Sequence, residues 1–345
     1  MSLVAAVSLG GGLEPARDLR VPRAVHTATA LPDGRVLVAG GCTDPGCESA
    51  TATTELFDPA TRRFAPGPRL SRPRVGHVAV SLRDGSVLVL GGWSGATPTA
   101  SAERFVRSRF VAAASMLTPR GGFTATRLRD GRVLVVGGTT GSETAASAEL
   151  YDPASGRFAA TGSLARARNA HTATLLRDGR VLVVGGSDGA DVLRTAEVYD
   201  PKTGRFAPAG TLRAPRHKHA AVALRDGRVL VVGGSDVRDS RGRYRASELW
   251  SPATRRFRAA PALREPRFKL PDAVVRLPTG EVLVAGGGDT VERYRPGGRF
   301  VVAGKIGEPF MFATATVLQD GRVLVAGGYD ESITPTVGTW VYRPR

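Results

Sequence analysis

The sequence predicts an all-β fold, a seven-bladed β-propeller of four-stranded antiparallel blades. One segment, DGRVLVAGG at residues 33–41, recurs seven times along the 345 residues, at spacings of 41 to 53 residues. Each copy is flanked by short apolar runs and turn residues, and no stretch shows the 3.6-residue periodicity of a helix. Glycine supplies 43 residues, as many tight turns require. Four-stranded units of about 40–50 residues are typical of propeller blades.

Four strands can be placed in each unit. An apolar run such as HTATAL (26–31) is followed by Asp-Gly, the strongest short hairpin signal, and then by VLVAGG. The VLV run is apolar throughout and rich in valine, which predicts a strand buried on both faces. A third run such as AELYDP (148–153) ends in an Asp-Pro turn and leads to RFAA (157–160), the fourth strand.

The two ends of the chain predict how the ring closes. The last repeat ends at WVYRP (340–344), a third strand, while residues 12–23 align without a gap on 63–74. We therefore expect one domain over residues 1–345, closed by the N-terminal strand, with residues 1–23 supplying the outer strand of blade seven. Residues 3–8 resemble 111–115 and are an alternative for that strand.

The repeat pattern Pro-Arg-x-x-His, Asp-Gly, Gly-Gly and Tyr-Asp-Pro resembles the kelch-repeat family. The segment LPDGRVLVAGG (31–41) is most similar to the repeats of the kelch propeller in galactose-oxidase-like proteins and in bacterial kelch-repeat proteins of unassigned role. The resemblance implies a propeller over essentially the whole chain. It does not imply one function, because such propellers include enzymes, lectins and scaffolds.

The copper radical oxidases that the predicted propeller resembles need tyrosine and histidine ligands near the axis, with a cysteine crosslinked to one tyrosine. Here the only cysteines, Cys42 and Cys47, are neighbours in one loop. The residue before the histidine position is never tyrosine in the first five blades: Val25, Gly76, Gly122, Ala170 and Lys218. This departure argues against oxidase activity of that type, and we expect no cofactor.

The repeat separates scaffold from candidate site residues, since a residue found in most blades serves the blade. Recurrent Gly-Gly, aromatic and Glu positions are assigned to the scaffold, with Glu pairing recurrent Arg. Strand direction places the residues before strand one and the loops after Gly-Gly on one side of the ring, here called the top face. Ten residues before each turn lie Arg23, Arg74, Arg120, Arg168, Arg216, Lys269 and Phe310. Seven residues before it lie His26, His77, Phe123, His171, His219, Asp272 and Ala313.

We interpret both of these sets, which recur around the ring, as structural. Buried Arg and His side chains usually form hydrogen bonds with neighbouring backbone and side-chain groups. The alternative is a metal or acid–base centre built from four histidines near the axis, since histidine is a frequent metal ligand. Its members would be His26, His77, His171 and His219.

Departures from the repeat are better candidates for a site. Blades six and seven replace the pattern with FKLPD (268–272) and PFMFA (309–313). These segments offer a cation, a carboxylate and aromatic side chains along one wall of a pocket: Lys269, Asp272, Phe310 and Phe312. Drift in the closing blades is the alternative interpretation.

Two further features lie on the top face. Trp93 and Tyr329 follow Gly-Gly and are candidate stacking platforms for a sugar ring or an aromatic side chain. The longest inserted loop, residues 235–246, is expected either to grip an acidic ligand through bidentate arginine contacts or to be a solvated basic loop. The loop residues concerned are Arg238, Arg241, Arg243, Tyr244 and Arg245.

The formal net charge is +17 and comes almost entirely from arginine. The sequence argues against nucleic acid as a partner, because the arginines are scattered through every repeat and no recognition helix or RNA-binding signature occurs. We expect a protein or an acidic polysaccharide as partner and a monomeric chain. No run of about 18 apolar residues occurs, so no membrane span is predicted.

Cys42 and Cys47 are expected either to form a disulfide, which favours a secreted or cell-envelope protein, or to remain two thiols. Residues 1–12 lack a basic segment and make a poor signal peptide, so a cytoplasmic location stays open. The sequence as a whole predicts a non-enzymatic binding module that presents a basic top face to a protein or anionic glycan. The alternative is a propeller enzyme acting on a glycan or small molecule, and a His-dependent metalloenzyme is one form that it could take.

Overall fold

Seven four-stranded antiparallel sheets surround a central axis in the computed structural model, which describes residues 12–344. The predicted all-β propeller is confirmed. The innermost strand of each sheet contacts the innermost strands of the two neighbouring sheets, and this contact closes the ring. Helix in the described residues is limited to two short 3-10 turns, Pro45–Cys47 and Asp239–Gly242. No helix in this part of the chain is long and apolar enough to cross a membrane.

Each blade runs from the axis outward in chain order. Blade one contains β2 (Thr27–Ala30), β3 (Val36–Ala39), β4 (Thr54–Asp58) and β5 (Arg63–Pro66). Blade two contains β6 (Val78–Ser81), β7 (Val87–Leu90), β10 (Ala102–Val106) and β11 (Arg109–Ala113), with a small extra hairpin of β8 (Trp93–Ser94) and β9 (Thr97–Pro98). Blade three contains β12 (Thr124–Arg127), β13 (Val133–Val136), β14 (Ala148–Asp152) and β15 (Arg157–Thr161).

The remaining blades repeat this order. Blade four contains β16 (Thr172–Leu175), β17 (Val181–Val184), β18 (Thr195–Asp200) and β19 (Arg205–Thr211). Blade five contains β20 (Ala220–Ala223), β21 (Val229–Val232), β22 (Ser247–Ser251) and β23 (Arg256–Ala260). Blade six contains β24 (Val274–Arg276), β25 (Val282–Val284), β26 (Thr290–Tyr294) and β27 (Phe300–Lys305). Blade seven contains β28 (Thr314–Val317), β29 (Val323–Ala326), β30 (Thr339–Arg343) and the N-terminal strand β1 (Gly12–Pro15).

The hydrophobic core lies between adjacent blades rather than at one centre. Along β7, Leu88 and Leu90 pack toward blade three, whereas Val87 and Val89 pack toward blade one. Side chains of a strand alternate between its two faces, so a second strand covered on both sides must be apolar at every position. This requirement explains the recurrent VLV segment.

A buried ion pair ties the top of each of the first six blades to its third strand. In blade four, Arg168 Nη2 lies 2.8 Å from Glu197 Oε1, and Arg168 Nη1 donates to the Gly185 carbonyl at 2.7 Å. Both side chains are buried, so the scaffold role expected for Arg and Glu is confirmed. The pairs are Arg23–Glu55, Arg74–Glu103, Arg120–Glu149, Arg168–Glu197, Arg216–Glu248 and Arg267–Glu292.

Blade six corrects one assignment made by counting back from the turn. Arg267, not Lys269, occupies the ion-pair position: its Nε lies 3.1 Å from Glu292 Oε1 and its Nη1 donates to the Gly286 carbonyl at 2.8 Å. Ala273, whose carbonyl accepts the Ala285 amide, is the sixth residue after Arg267, whereas the equivalent Thr27 is the fourth residue after Arg23. Blade six therefore has two extra residues before its first strand, and counting ten residues back from the turn gave Lys269 instead of Arg267.

Blade seven replaces the ion pair with an aromatic pair. Phe310 stands at the Arg position and Trp340 at the Glu position, and their ring centroids are 4.6 Å apart. Phe310 is only 1% exposed, so it forms part of the core beneath the top face and not the pocket wall expected from the sequence. Replacement of a buried ion pair by apolar side chains of similar volume is often neutral or stabilising.

The ring closes as predicted, through the N-terminal strand. β1 pairs antiparallel with β30, with Gly12 opposite Arg343 and Pro15 opposite Trp340. Leu13 lies opposite Tyr342 and is close to Gly304 of blade six, so this strand also contacts the neighbouring blade. Residues 3–8, the alternative candidate for the closing strand, lie outside the described residues.

Candidate functional site

One residue per blade turns the backbone inward where the chain reaches the axis on the top face. These seven residues, here called the rim positions, follow the ion-pair position by two and all have φ between 47° and 63°. They are Val25, Gly76, Gly122, Ala170, Lys218, Lys269 and Phe312. The turn lets backbone groups bond from blade to blade: Ala170 N donates to Gly122 O at 2.9 Å, and Lys218 N donates to Ala170 O at 3.0 Å.

The rim positions surround the mouth of an axial cavity of about 620 Å³. Its wall is formed by the beginnings of the innermost strands and consists largely of Ala, Val and Thr side chains. Five titratable side chains also line it: His26, His77, His171, Lys218 and Asp272. The volume is within the range of small-molecule sites, which are typically about 300–1,000 Å³.

Trp93 forms the aromatic part of the cavity wall. It opens the β8–β9 hairpin between the second and third strands of blade two, and its backbone pairs with Val75. The indole lies against Gly76, Gly121 and Gly122, since a Cβ atom added at Gly76 would come within 2.7 Å of the ring. Glycine at the rim of blades two and three is therefore needed to seat the tryptophan.

The four recurrent histidines link neighbouring blades. Each Nε2 lies 2.9–3.1 Å from the Oγ1 of a threonine at the start of the preceding blade's innermost strand. Burial, followed by the charge of the nearby arginine, lowers the pKa of His77 and of His171 to about 3. The pairs are His26–Thr314, His77–Thr27, His171–Thr124 and His219–Thr172.

The occurrence of histidine follows the threonine without exception. The other three blades have Phe123, Leu270 and Ala313 at the histidine position, and the preceding blades then have Val78, Ala220 and Ala273 in place of threonine. Phe123 packs in the same cluster as Val78, and Leu270 in the same cluster as Ala220. This correspondence supports a structural role for the four histidines around the axis.

The copper chemistry of radical oxidases does not fit the residues present. No group of three or more His, Cys, Asp or Glu side chains among residues 12–344 is arranged to hold a metal ion. Cys42 and Cys47 form a disulfide with their Cα atoms 5.0 Å apart, so neither is available for a crosslink to tyrosine. The rim positions before the histidines carry no tyrosine.

Asp272 lies on the two-residue insertion of blade six and lines the axial cavity. Its backbone carbonyl accepts the Ala315 amide at 2.7 Å, which holds the segment against blade seven. Its side chain is accessible within the cavity, and the inner strands of the ring surround the space into which it opens. Burial alone raises the pKa of Asp272 to about 6.

Lys269 lies among aromatic rings at the rim. Its Nζ is 4.7 Å from the Phe268 ring centroid, 5.1 Å from that of Tyr329 and 5.9 Å from that of Phe312. Burial, reinforced by the charge of Lys218, lowers the pKa of Lys269 to about 8. Among these aromatic residues only Phe312 reaches the cavity wall, whereas Phe268 and Tyr329 lie beneath the surface.

The basic loop is largely compensated within the protein. Arg238 pairs with Asp236 at 2.7 Å and Arg243 with Glu331 at 3.1 Å, while Arg245 Nε donates to the Leu263 carbonyl. Tyr244 stacks against the buried Arg216, whose guanidinium carbon lies 5.2 Å from the ring centroid. Of these loop residues, only the side chain of Arg241 has neither a hydrogen bond, an ion pair nor a ring contact with residues 12–344.

The structure thus brings Trp93, Asp272 and Phe312 to one cavity and places Lys269 and Tyr329 beside it. Sequence reasoning missed Lys218, which lines the cavity and whose Nζ lies 2.9 Å from Asp239 Oδ1. A signal was available, because lysine is rare in this chain and Lys218 interrupts a position that small or apolar residues fill in the preceding blades.

A kelch-motif profile matches residues 168–213, which run from Arg168 to the end of blade four. The chain is a seven-bladed propeller that carries a kelch motif. A solved structure, a fungal alcohol oxidase of the AA5 family in complex with copper, resembles this seven-bladed propeller with a TM-score of 0.77 and 17% sequence identity. The match covers 97% of this chain and 76% of the oxidase, and at this identity it shows the fold alone. No curated protein sequence matches the chain.

Proposed function

We propose that this kelch propeller is a non-enzymatic binding module that takes its ligand into the axial cavity from the top face. The observation that carries the proposal is the composition of the cavity wall. Trp93, Lys218, Asp272 and Phe312 all depart from the repeat, and all four line the same cavity. A cavity of about 620 Å³ with a mostly apolar wall and a few polar groups is typical of a ligand site.

The backbone at the rim supports the same interpretation. Five of the seven rim positions carry a side chain at φ values that favour glycine, and one of them, Val25 at φ 55°, is β-branched. A left-handed conformation costs a non-glycine residue about 1–2 kcal/mol. Residues in such conformations persist where the surrounding structure imposes them, and they cluster at active sites and ligand-binding sites.

The positive charge of the chain also suggested contact between the top face and a protein or acidic glycan. Few basic side chains outside the cavity are free to make that contact. Arg238 and Arg243 already pair with carboxylates of the protein. Of the basic candidate residues, Arg241, Arg245 and Lys269 form no ion pair within residues 12–344, so an acidic group of a partner would gain a new ion pair at these positions.

Ligand-observed NMR with a mixed set of neutral sugars, acidic sugars, organic amines and short peptides tests the proposal. The matched variants are Ala170→Trp, which places an indole across the rim, and Ala170→Gly, which suits φ 47° and leaves the mouth open. We expect ligands of the wild type to bind Ala170→Gly and to lose at least tenfold in affinity for Ala170→Trp. Ligands that bind all three proteins equally would contradict the proposal.

We also propose that the protein is exported, because a disulfide between Cys42 and Cys47 persists in an oxidising compartment. Thiol titration of the unfolded chain, purified under non-reducing conditions from its native host, tests this. We expect no free thiol before reduction and two after it. Two free thiols before reduction would contradict export.

A further inference from the structure

The axial cavity contains one charge that no other described residue compensates, and this charge is negative. Lys218 and Asp272 are the charged residues among those lining the cavity. Lys218 is paired, because its Nζ lies 2.9 Å from Asp239 Oδ1 outside the cavity. The Asp272 carboxylate has neither a hydrogen bond nor an ion pair with any side chain or backbone group of residues 12–344. In a chain with a net charge of +17, an unpaired anion at the axis is an unexpected feature.

The insertion in blade six is what places this carboxylate on the wall. Leu270 fills the position that histidine holds in four other blades: its Cδ1 would lie 2.7 Å from a Cβ atom added at Gly233, just as His219 Cε1 would lie 2.9 Å from one at Gly185. The two residues that follow, Pro271 and Asp272, have no counterpart in blade one and both line the cavity.

We propose that the axial cavity recognises a protonated amine, with the Asp272 carboxylate as its counter-charge and the Trp93 ring as the aromatic wall. An ammonium group supplies the hydrogen-bond donors that the carboxylate lacks, and charge-assisted bonds of this kind are the strongest that a carboxylate makes. The face of an indole ring also attracts cations. The inference rests on the proposed function, because it assigns the ligand class of the same cavity.

The neighbouring groups leave the carboxylate free to act in this way. His26, His77 and His171 face the cavity from blades one, two and four, and burial keeps their rings neutral. From blade five, Lys218 is held by Asp239, and at the rim of blade six Lys269 is directed toward aromatic rings. Because the pKa of Asp272 is raised to about 6, the affinity for an amine should increase as the pH rises through 6.

NMR titration with benzylammonium, and with benzyl alcohol as its uncharged counterpart, tests the inference. The variants are Asp272→Asn and the matched control Asp191→Asn, which removes an exposed carboxylate on the top face. We expect benzylammonium to bind the wild type and Asp191→Asn alike at pH 7.5. Affinity should fall at least tenfold in Asp272→Asn and at least tenfold in the wild type at pH 4.5. Benzyl alcohol should bind wild type and Asp272→Asn equally.

A second arm separates the two sources of an amine. Binding of N-acetyl-lysine methylamide with the same dependence on Asp272 would assign the group to a lysine of a protein partner, and binding of benzylammonium alone would assign it to a small molecule. Benzylammonium affinity that Asp272→Asn leaves unchanged would overturn the inference. Neutral ligands lost in Ala170→Trp would then still uphold the proposed function, whereas ligands insensitive to Ala170→Trp would remove that function itself.

Discussion

Arg168 and Glu197 illustrate how single residues hold a blade. Neither side chain is exposed by more than 6%, and the guanidinium also bonds the Gly185 and Thr195 carbonyls. Glu197 Oε2 in turn accepts the Ala165 amide at 2.9 Å. Removal of the carboxylate therefore leaves a buried cation without its counter-charge and a backbone donor without its acceptor.

Glu197→Ala should lower the free energy of unfolding by about 3–5 kcal/mol, the usual cost of breaking a buried pair. Asp191→Ala is the control, because the pair of Asp191 with Arg166 is largely exposed, with 70% of the Asp191 side chain accessible. We expect less than about 1 kcal/mol for the control. Urea unfolding of both variants measures the difference, and equal losses would refute the structural role of the pair.

The buried histidines predict a loss of stability in acid. The pKa of His171 is about 3 in the folded chain against an ordinary value of 6.5, so the unfolded chain binds a proton that the folded chain excludes. The stabilisation is complete above pH 6.5 and is lost as the pH falls toward 3.

His171→Phe, which copies blade three, should reduce the dependence of the unfolding free energy on pH between 5.5 and 4 by about 1.4 kcal/mol per pH unit. Urea unfolding at pH 7, 5.5 and 4 provides the measurement. An unchanged slope would show that His171 is not the excluded proton site.

At the scale of the element, the histidine–threonine pair joins the innermost strands of adjacent blades. The pair is absent between blades two and three, where Val78 faces the position of Phe123. If the hydrogen bond stabilises the junction, introducing histidine without threonine should bring no gain. Both residues of the pair must then be introduced together.

A double-mutant cycle at this junction tests the pair. Val78→Thr and Phe123→His should each destabilise the protein, because each buries a polar group without a partner. The double variant should be more stable than the sum of the single changes by about 1 kcal/mol. Additive effects in thermal or urea unfolding would refute the pairing rule.

At the scale of the whole molecule, β1 closes the ring by pairing with β30. Gly12 lies opposite Arg343, so the ends of the two strands are adjacent and a two-residue linker can join them as a short hairpin. A permuted chain that begins at Asp18, continues from Arg345 into Gly12 and ends at Arg17 keeps every strand of blade seven.

We expect this permutant to unfold at a temperature within a few degrees of the wild type. Deletion of residues 1–15 should lower that temperature by far more and expose the edge of β30 to association with other chains. Differential scanning calorimetry and size-exclusion chromatography measure both effects. A stable monomeric deletion variant would contradict closure by β1.

The repeat made the fold predictable, because seven copies of one sequence pattern define the strand order, the turn positions and the closure of the ring. The site was less predictable. Counting from the turn failed at Lys269 because two extra residues precede the strand, and Phe310 was misjudged because its partner Trp340 stands 30 residues further along the chain. Paired substitutions such as these are visible only when both positions of the repeat are compared at once.

The central claim is that ligands of this protein enter the axial cavity. A crystal structure of the wild type soaked with the tightest ligand from the NMR set tests it most directly. The account predicts ligand density inside the ring, against Trp93 and within hydrogen-bond distance of the Asp272 carboxylate. Density on the opposite face of the ring or on its outer strands, with only water at the axis, would contradict it.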